Sequence, residues 1–307
     1  MHPEFEKYKS CIICPNACGV NRINGELGVC GSDVSYNISA ICLHQGEEPV
    51  ITGEKGICNV FFSRCNLGCI YCQNHQISSR RGAVIAKAYN LRKVVEDIST
   101  ILNKSGVKTI GFVSPTHYIP HVKAIITALR QKYNDLIFVY NTNAYDRVEE
   151  LKQLESYIDI YLPDFKYIDA DLALQYSHIK NYPQMAFAAI KEMYRQKGST
   201  LRMAENGLLE SGLIIRHLVL PNHIDNSIGI LHALADISID LAISLMAQYN
   251  PSAFVKEHPL LNRKITIQEY QCVLDEWENL GFYKGWQQEL ESSASYNPDF
   301  NRENPFG

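Results

Sequence analysis

Six apolar runs of strand length recur after residue 56, at 57–62, 109–114, 136–141, 158–162, 213–220 and 241–246. Between them lie segments of helical spacing. Leu91, Val94, Val95, Ile98, Ile101 and Leu102 share one face, as do Val122, Ile125, Ile126 and Leu129. A further helix is expected over 183–197, ended by Gly198. Near the C-terminus Thr266 and Glu269 form a capping-box pattern, continued by the apolar stripe Ile267, Tyr270, Leu274 and Trp277. Strands alternating with helices predict an α/β fold around a parallel sheet with right-handed crossovers. The first 55 residues differ. They are rich in Gly, Asn and Cys, show little periodicity, and read as a small module laid over the main domain. The resulting division is a Cys-rich N-terminal module over 1–55, the strand-and-helix domain over 56–251, and a C-terminal helical extension and tail over 252–307, irregular from residue 292.

Polar clusters follow four of the strands: SPTH at 114–117, NTN at 141–143, PDFK at 163–166 and QYNP at 248–251. Ligands of barrels and open α/β sheets sit at the carboxyl ends of the strands, so the four clusters predict one shared site. Arg216 interrupts the apolar strand LIIRHLVL and requires a partner there; His217 beside it points to the opposite face and is read as structural. Glu47 and Glu48 offer paired carboxylates, suited to a cationic substrate group or to acid–base work.

Composition narrows the picture. Of 307 residues 46% are hydrophobic and 20% charged, which excludes a disordered chain or a rod. The formal net charge of -4 gives no basic face for nucleic acid beyond a local patch of Lys180, Lys191, Arg195 and Lys197. The apolar stretch 228–246 is broken by His232, Asp236 and Asp240, so no membrane span is expected. The polar start MHPEFEKYKS has no signal-peptide run, and nine of ten cysteines crowd into the first 72 residues of a long chain. The expectation is a cytoplasmic protein whose thiolates bind metal.

The segment FFSRCNLGCIYCQN carries the most specific pattern. Cys65, Cys69 and Cys72, spaced C-x3-C-x2-C directly after a strand, can ligate three irons of a [4Fe–4S] cube. The fourth iron is left open for the amino and carboxylate groups of S-adenosylmethionine. A zinc knuckle completed by His75 is the competing reading. A second set, Cys11, Cys14, Cys18 and Cys30, suits a structural zinc or a fully ligated [4Fe–4S] cluster, with Cys42 and Cys58 as possible substitutes.

The C-x3-C-x-aromatic-C loop resembles the radical S-adenosylmethionine (SAM) superfamily. With CIICPNACGVNR, GEEPVITGEKG, SPTHYIPH, VYNTNAY, DIYLPDFKY, RHLVLPN and LMAQYNP, the chain from 11 to about 251 is similar to the PflX-type iron–sulfur proteins, homologs of pyruvate formate-lyase activating enzyme. The resemblance implies a partial six-stranded (β/α) barrel with the cluster at its open top. It implies reductive cleavage of SAM by an electron from a flavodoxin- or ferredoxin-type donor. The products are methionine and a 5′-deoxyadenosyl radical that abstracts hydrogen from a protein or small-molecule substrate. Cys65, Cys69 and Cys72 match the cluster ligands, and Tyr71 matches the aromatic whose backbone meets the adenine. Asp164 and Lys166 match a D-x-K pattern near the cofactor carboxylate. Asn141 and Asn143 match the end of the third strand, and Arg216 an arginine on the fifth. Where many members carry Gly-Gly-Glu this chain has Ser114-Pro115-Thr116-His117, with Thr116 as the acceptor for the cofactor amino group. After the sixth strand Gln248, Tyr249 and Asn250 stand where activating enzymes often place a His. The resemblance names no catalytic residue beyond the cluster. An RNA-modifying radical enzyme and a non-catalytic iron–sulfur or zinc protein are the alternatives.

Overall fold

A computed structural model describes residues 3–290 and 298–306. The strands are β1 (Tyr36–His44), β2 (Ile57–Phe62), β3 (Lys87–Tyr89), β4 (Thr109–Val113), β5 (Ile137–Thr142), β6 (Ile160–Pro163), β7 (Arg202–Met203), β8 (Leu209–Leu218), β9 (Ala242–Met246) and β10 (Gly285–Gln287). They form one sheet in the order β10-β9-β8-β6-β5-β4-β2-β1-β3, with β7 beside β8. The run β2-β4-β5-β6-β8-β9 is parallel throughout, the six strands of the expected partial barrel. Every residue of β2, β4, β6 and β9 is buried, because strands covered on both faces must be apolar on both.

Five longer helices cover the sheet: Leu91–Ser105, Ile119–Arg130, Tyr182–Lys197, Ile224–Ala235 and Ile267–Asn279. The first buries Val94, Val95, Ile98 and Leu102, the stripe read from spacing, and starts where the Asn90 side chain accepts from Lys93 N–H. The last begins with the expected capping box of Thr266 and Glu269.

Three features depart from expectation. Residues Tyr36–His44, inside the segment read as a separate module, form β1 and pair antiparallel with β2. Its alternation escapes notice because Ile41 and Leu43 sit on the less buried face. Cys42 and Cys58 therefore belong to strands and pack among apolar side chains; burial pushes the Cys42 thiol up to about 12. In the C-terminal extension, β10 adds a parallel strand to β9. Residues 292–297 of the expected irregular tail lie outside the described residues, but beyond them the chain packs firmly. Phe300 meets Phe61 at 5.4 Å between ring centroids, and Phe306 meets His44 at 4.0 Å. Among the described residues no helix is long and apolar enough to cross a membrane.

Candidate active site

Parallel strands deliver their carboxyl ends to one side of a sheet, and a cavity opens there. Cys65, Cys69, Cys72, Tyr71, Ser114, Asn141, Asn143, Asp164, Lys166, Arg216 and Gln248 line it together. Arg64 after β2, Ser114 after β4 and Ala144 after β5 all take positive φ (70°, 55° and 60°), so the chain turns sharply as it leaves each strand.

Each sulfur of the cysteine loop faces a hydrogen-bond donor. Ser177 Oγ donates to Cys69 Sγ at 2.9 Å and Ser78 Oγ to Cys72 Sγ at 3.2 Å. The Leu67 N–H and the Asn143 amide each donate to Cys65 Sγ at 3.4 Å. Burial pushes the Cys65 thiol up to about 12, with the neighbouring Cys69 and Cys72 adding to the rise. Loading such thiols with metal releases protons, and donors aimed at sulfur then stabilise the thiolates. Tyr71 turns its ring into the core, where its hydroxyl lies 2.7 Å from that of Tyr167 and Tyr167 in turn 2.8 Å from Ser177 Oγ.

The same cavity is lined by a half-buried ionic network. Asp164 Oδ1 accepts from Arg216 Nε at 2.7 Å and Asp164 Oδ2 from Lys166 Nζ at 2.8 Å. Arg216 also donates to Glu47 Oε2 (3.0 Å) and Asn141 Oδ1 (2.6 Å). Burial opposes the Asp164 charge, but Arg216 and Lys166 outweigh it and hold the carboxyl below its usual range. Burial likewise opposes the Lys166 charge, yet Asp164 and then Cys69 raise its pKa. Lys166 is the cation with spare donors, because its ammonium has three and Asp164 takes one. Tyr182 ties the framework together: its hydroxyl accepts from Lys166 N–H at 2.9 Å and faces the carbonyls of Asn143 and Asp164.

Of the residues anticipated from sequence, Thr116, His117, Tyr249, Asn250 and the N-terminal cysteines do not line this cavity. Thr116 turns from the cavity and meets Thr142 Oγ1 at 3.0 Å; Thr142 donates in turn to the buried Asp146 at 2.6 Å. Ser114, one turn earlier, takes the cavity wall instead. His117 is buried beside Ser63 O, and burial with Arg22 nearby pushes its pKa down to about 3. Arg216 has the carboxylate partner its strand position demanded, and His217 is structural, bonded to Phe165 O and Ser227 Oγ. Glu47 is not free for a substrate cation: Arg216, Asn59 and Asn141 all hold it. Gly111 makes this possible, since a Cβ there would collide with Asn59 Oδ1. Ser78, Ser177 and Tyr182 escaped the sequence reading because nothing local marks a hydroxyl that acts across the fold. The basic patch dissolves as well, because Arg195 pairs with Glu192 and Glu155 while Lys197 Nζ caps Ile158 O.

The radical SAM superfamily profile matches residues 59–204, the stretch carrying the cysteine loop, Asn141, Asn143, Asp164 and Lys166. The chain belongs to the radical SAM superfamily. Membership implies an enzyme of radical chemistry that uses SAM and a [4Fe–4S] cluster. A relative, the uncharacterized protein MJ0674 of Methanocaldococcus jannaschii, is 32% identical over 277 residues, which cover 87% of this chain and 74% of that protein. Streptococcus suis SuiB superimposes with a TM-score of 0.50 at 11% identity, over 75% of this chain and 49% of SuiB. SuiB bound to S-adenosylmethionine gives the same TM-score and identity over 76% of this chain and 50% of that one. The chain thus spans about half the length of SuiB, and the likeness establishes the fold alone.

Proposed function

We propose that Cys65, Cys69 and Cys72 hold a [4Fe–4S] cluster with one iron free, and that the strand ends beside it bind SAM. The observation that supports this is the convergence of three hydrogen-bonded sulfurs and the Lys166–Asp164 pair on one cavity. Bound there, the cluster and SAM supply a carbon-centred radical that takes a hydrogen atom from the substrate. The protein's own part is positioning. Lys166 offers two free N–H donors to a carboxylate, while Asp164 and Arg216 fix its place. Asn143 holds Cys65, and Asn141 locks Arg216, so both asparagines line the cavity as fixed polar walls. Tyr71 lines the cavity, and its hydroxyl is anchored by Tyr167.

The substrate class fits the activating-enzyme-like chemistry that the sequence resembles, a hydrogen donor on a protein or small molecule. The electron comes from a flavodoxin- or ferredoxin-type donor in the cytoplasm. Anaerobic reconstitution, reduction with dithionite and addition of SAM test the reading: 5′-deoxyadenosine and methionine are expected in equal amounts. A fully iron-loaded protein that leaves SAM intact overturns it.

A further inference from the structure

A second group of thiols lies outside the cavity machinery. Cys11, Cys14, Cys18 and Cys30 are all free, and Cys11, Cys14 and Cys30 are buried. Short loops closed by backbone hydrogen bonds carry them: Cys11 N to Val20 O at 2.9 Å, Gly19 N to Cys11 O at 3.0 Å and Gly31 N to Gly28 O at 3.0 Å. Three of the sulfurs receive N–H donors. Val29 N–H donates to Cys18 Sγ at 3.2 Å, Asn16 Nδ2 to Cys14 Sγ at 3.7 Å, and Arg22 Nη1 stands 4.0 Å from Cys11 Sγ. Gly28 keeps the space around Cys18 open, because a Cβ there would stand 2.8 Å from the sulfur.

Arg22 is the independent observation. Its side chain has no solvent exposure, and its donors go to the carbonyls of Asp33 (2.6 and 3.0 Å) and His117 (2.6 Å). The guanidinium lies over the Tyr8 ring at 4.1 Å and the Tyr118 ring at 5.3 Å. No carboxylate among the described residues pairs with it, although a buried charge needs a counter-charge. The titratable groups facing it are Tyr8, Tyr118, His117, His121, Cys11 and Cys30; burial keeps the tyrosines protonated and the histidines neutral. Thiolates bound to metal beside Arg22 supply the counter-charge that no carboxylate gives it.

We propose that Cys11, Cys14, Cys18 and Cys30 ligate a second [4Fe–4S] cluster, with every iron bound to thiolate and the negative charge balanced by Arg22. Four iron–sulfur bonds form as four thiol protons leave, and no iron stays open. A cubane takes one thiolate at each of its four irons, the number of cysteines in this set. Asn16 also donates to Asn66 O at 2.8 Å, which ties this set to the residue beside Cys65.

The test uses the full chain carrying Cys65→Ala, Cys69→Ala and Cys72→Ala, reconstituted anaerobically and desalted. About four irons and four sulfides per chain are expected, with a paramagnetic signal on reduction that SAM leaves unchanged. A metal-free chain, zinc in place of iron, or a signal that SAM perturbs overturns the proposal. Should the triple variant fail to fold, Cys14→Ser with Cys30→Ser in the otherwise native chain lowers iron from about eight to about four per chain. Unchanged iron in that variant also overturns it.

Discussion

Two cysteine loops lie side by side in this protein and are built to opposite ends. The loop after β2 turns three sulfurs toward a cavity and faces them with Ser78, Ser177 and Asn143, leaving room for a ligand. The N-terminal loops set Cys11 and Cys30 near Arg22, which donates to the carbonyls of Asp33 and His117. The first set lines an open cavity beside a lysine with donors to spare; in the second, three of four thiols are buried near an arginine. Thiol count and the fate of the nearby cation together distinguish a reactive centre from a closed one.

The sharpest way to break that contrast is to remove one sulfur from each side. Cys65→Ala is expected to abolish 5′-deoxyadenosine formation, whereas Cys14→Ser retains it when dithionite supplies the electron. Chromatography of the quenched reaction reads both. Equal losses would mean that the two loops are not chemically distinct.

Acid separates the regions next. His117 and His121, packed against the N-terminal segment, have pKa values pushed down to about 3, and His217 in the barrel to about 4, in each case mainly by burial. All three stay neutral in the folded chain while the unfolded chain protonates near 6.5. Their stabilisation is complete above pH 6.5 and is lost as pH falls toward 3 to 4. At pH 5.5 each contributes a loss of about 1.4 kcal/mol, so two-thirds of the total of about 4 kcal/mol belongs to the N-terminal side. Urea midpoints at pH 7.5 and 5.5 measure the sum. Replacement of His121 by Gln should remove about a third of the pH dependence.

The spare donors of Lys166 mark the open side. Lys166→Met is expected to weaken SAM binding about ten- to thirtyfold, the loss of one charge-assisted hydrogen bond. Equilibrium dialysis against reconstituted protein checks this. Lys166→Arg should recover part of the affinity, and an unchanged affinity in the Met variant would place the cofactor carboxylate elsewhere.

Much of this was legible in the chain. The six buried strands announced themselves because a sheet covered on both faces needs unbroken apolar runs, and Asp164 and Lys166 follow one of them directly. Cys65, Cys69 and Cys72 were legible from spacing alone. Thr116 was misplaced because the chain turns sharply at Ser114, with φ 55°, and Ser114 rather than Thr116 lines the cavity. Strand β1 was hidden because its less buried face is also apolar. The network around Arg216 could be anticipated only in part. Its need for a carboxylate is local physics, but Glu47 lies 169 residues away and reaches it through the fold.

The finest contrast concerns who supplies the hydrogen bonds to sulfur. At Cys18 the donor is the Val29 backbone, which no side-chain substitution deletes. At Cys69 it is the Ser177 hydroxyl, which can be removed. A donor to a cluster thiolate favours the reduced, more negative state, so its loss moves the potential downward. One hydrogen bond of about 1 kcal/mol corresponds to about 40 mV for one electron. Ser177→Ala is therefore expected to lower the potential of the loop cluster by about that much and to leave the N-terminal iron untouched. Tyr167 keeps Tyr71 as a partner, so stability should change by less than about 1 kcal/mol. Redox titration followed by paramagnetic resonance separates the two signals, since only the loop cluster responds to SAM. A shift in the other signal would show that the two centres are electrostatically coupled rather than independently tuned.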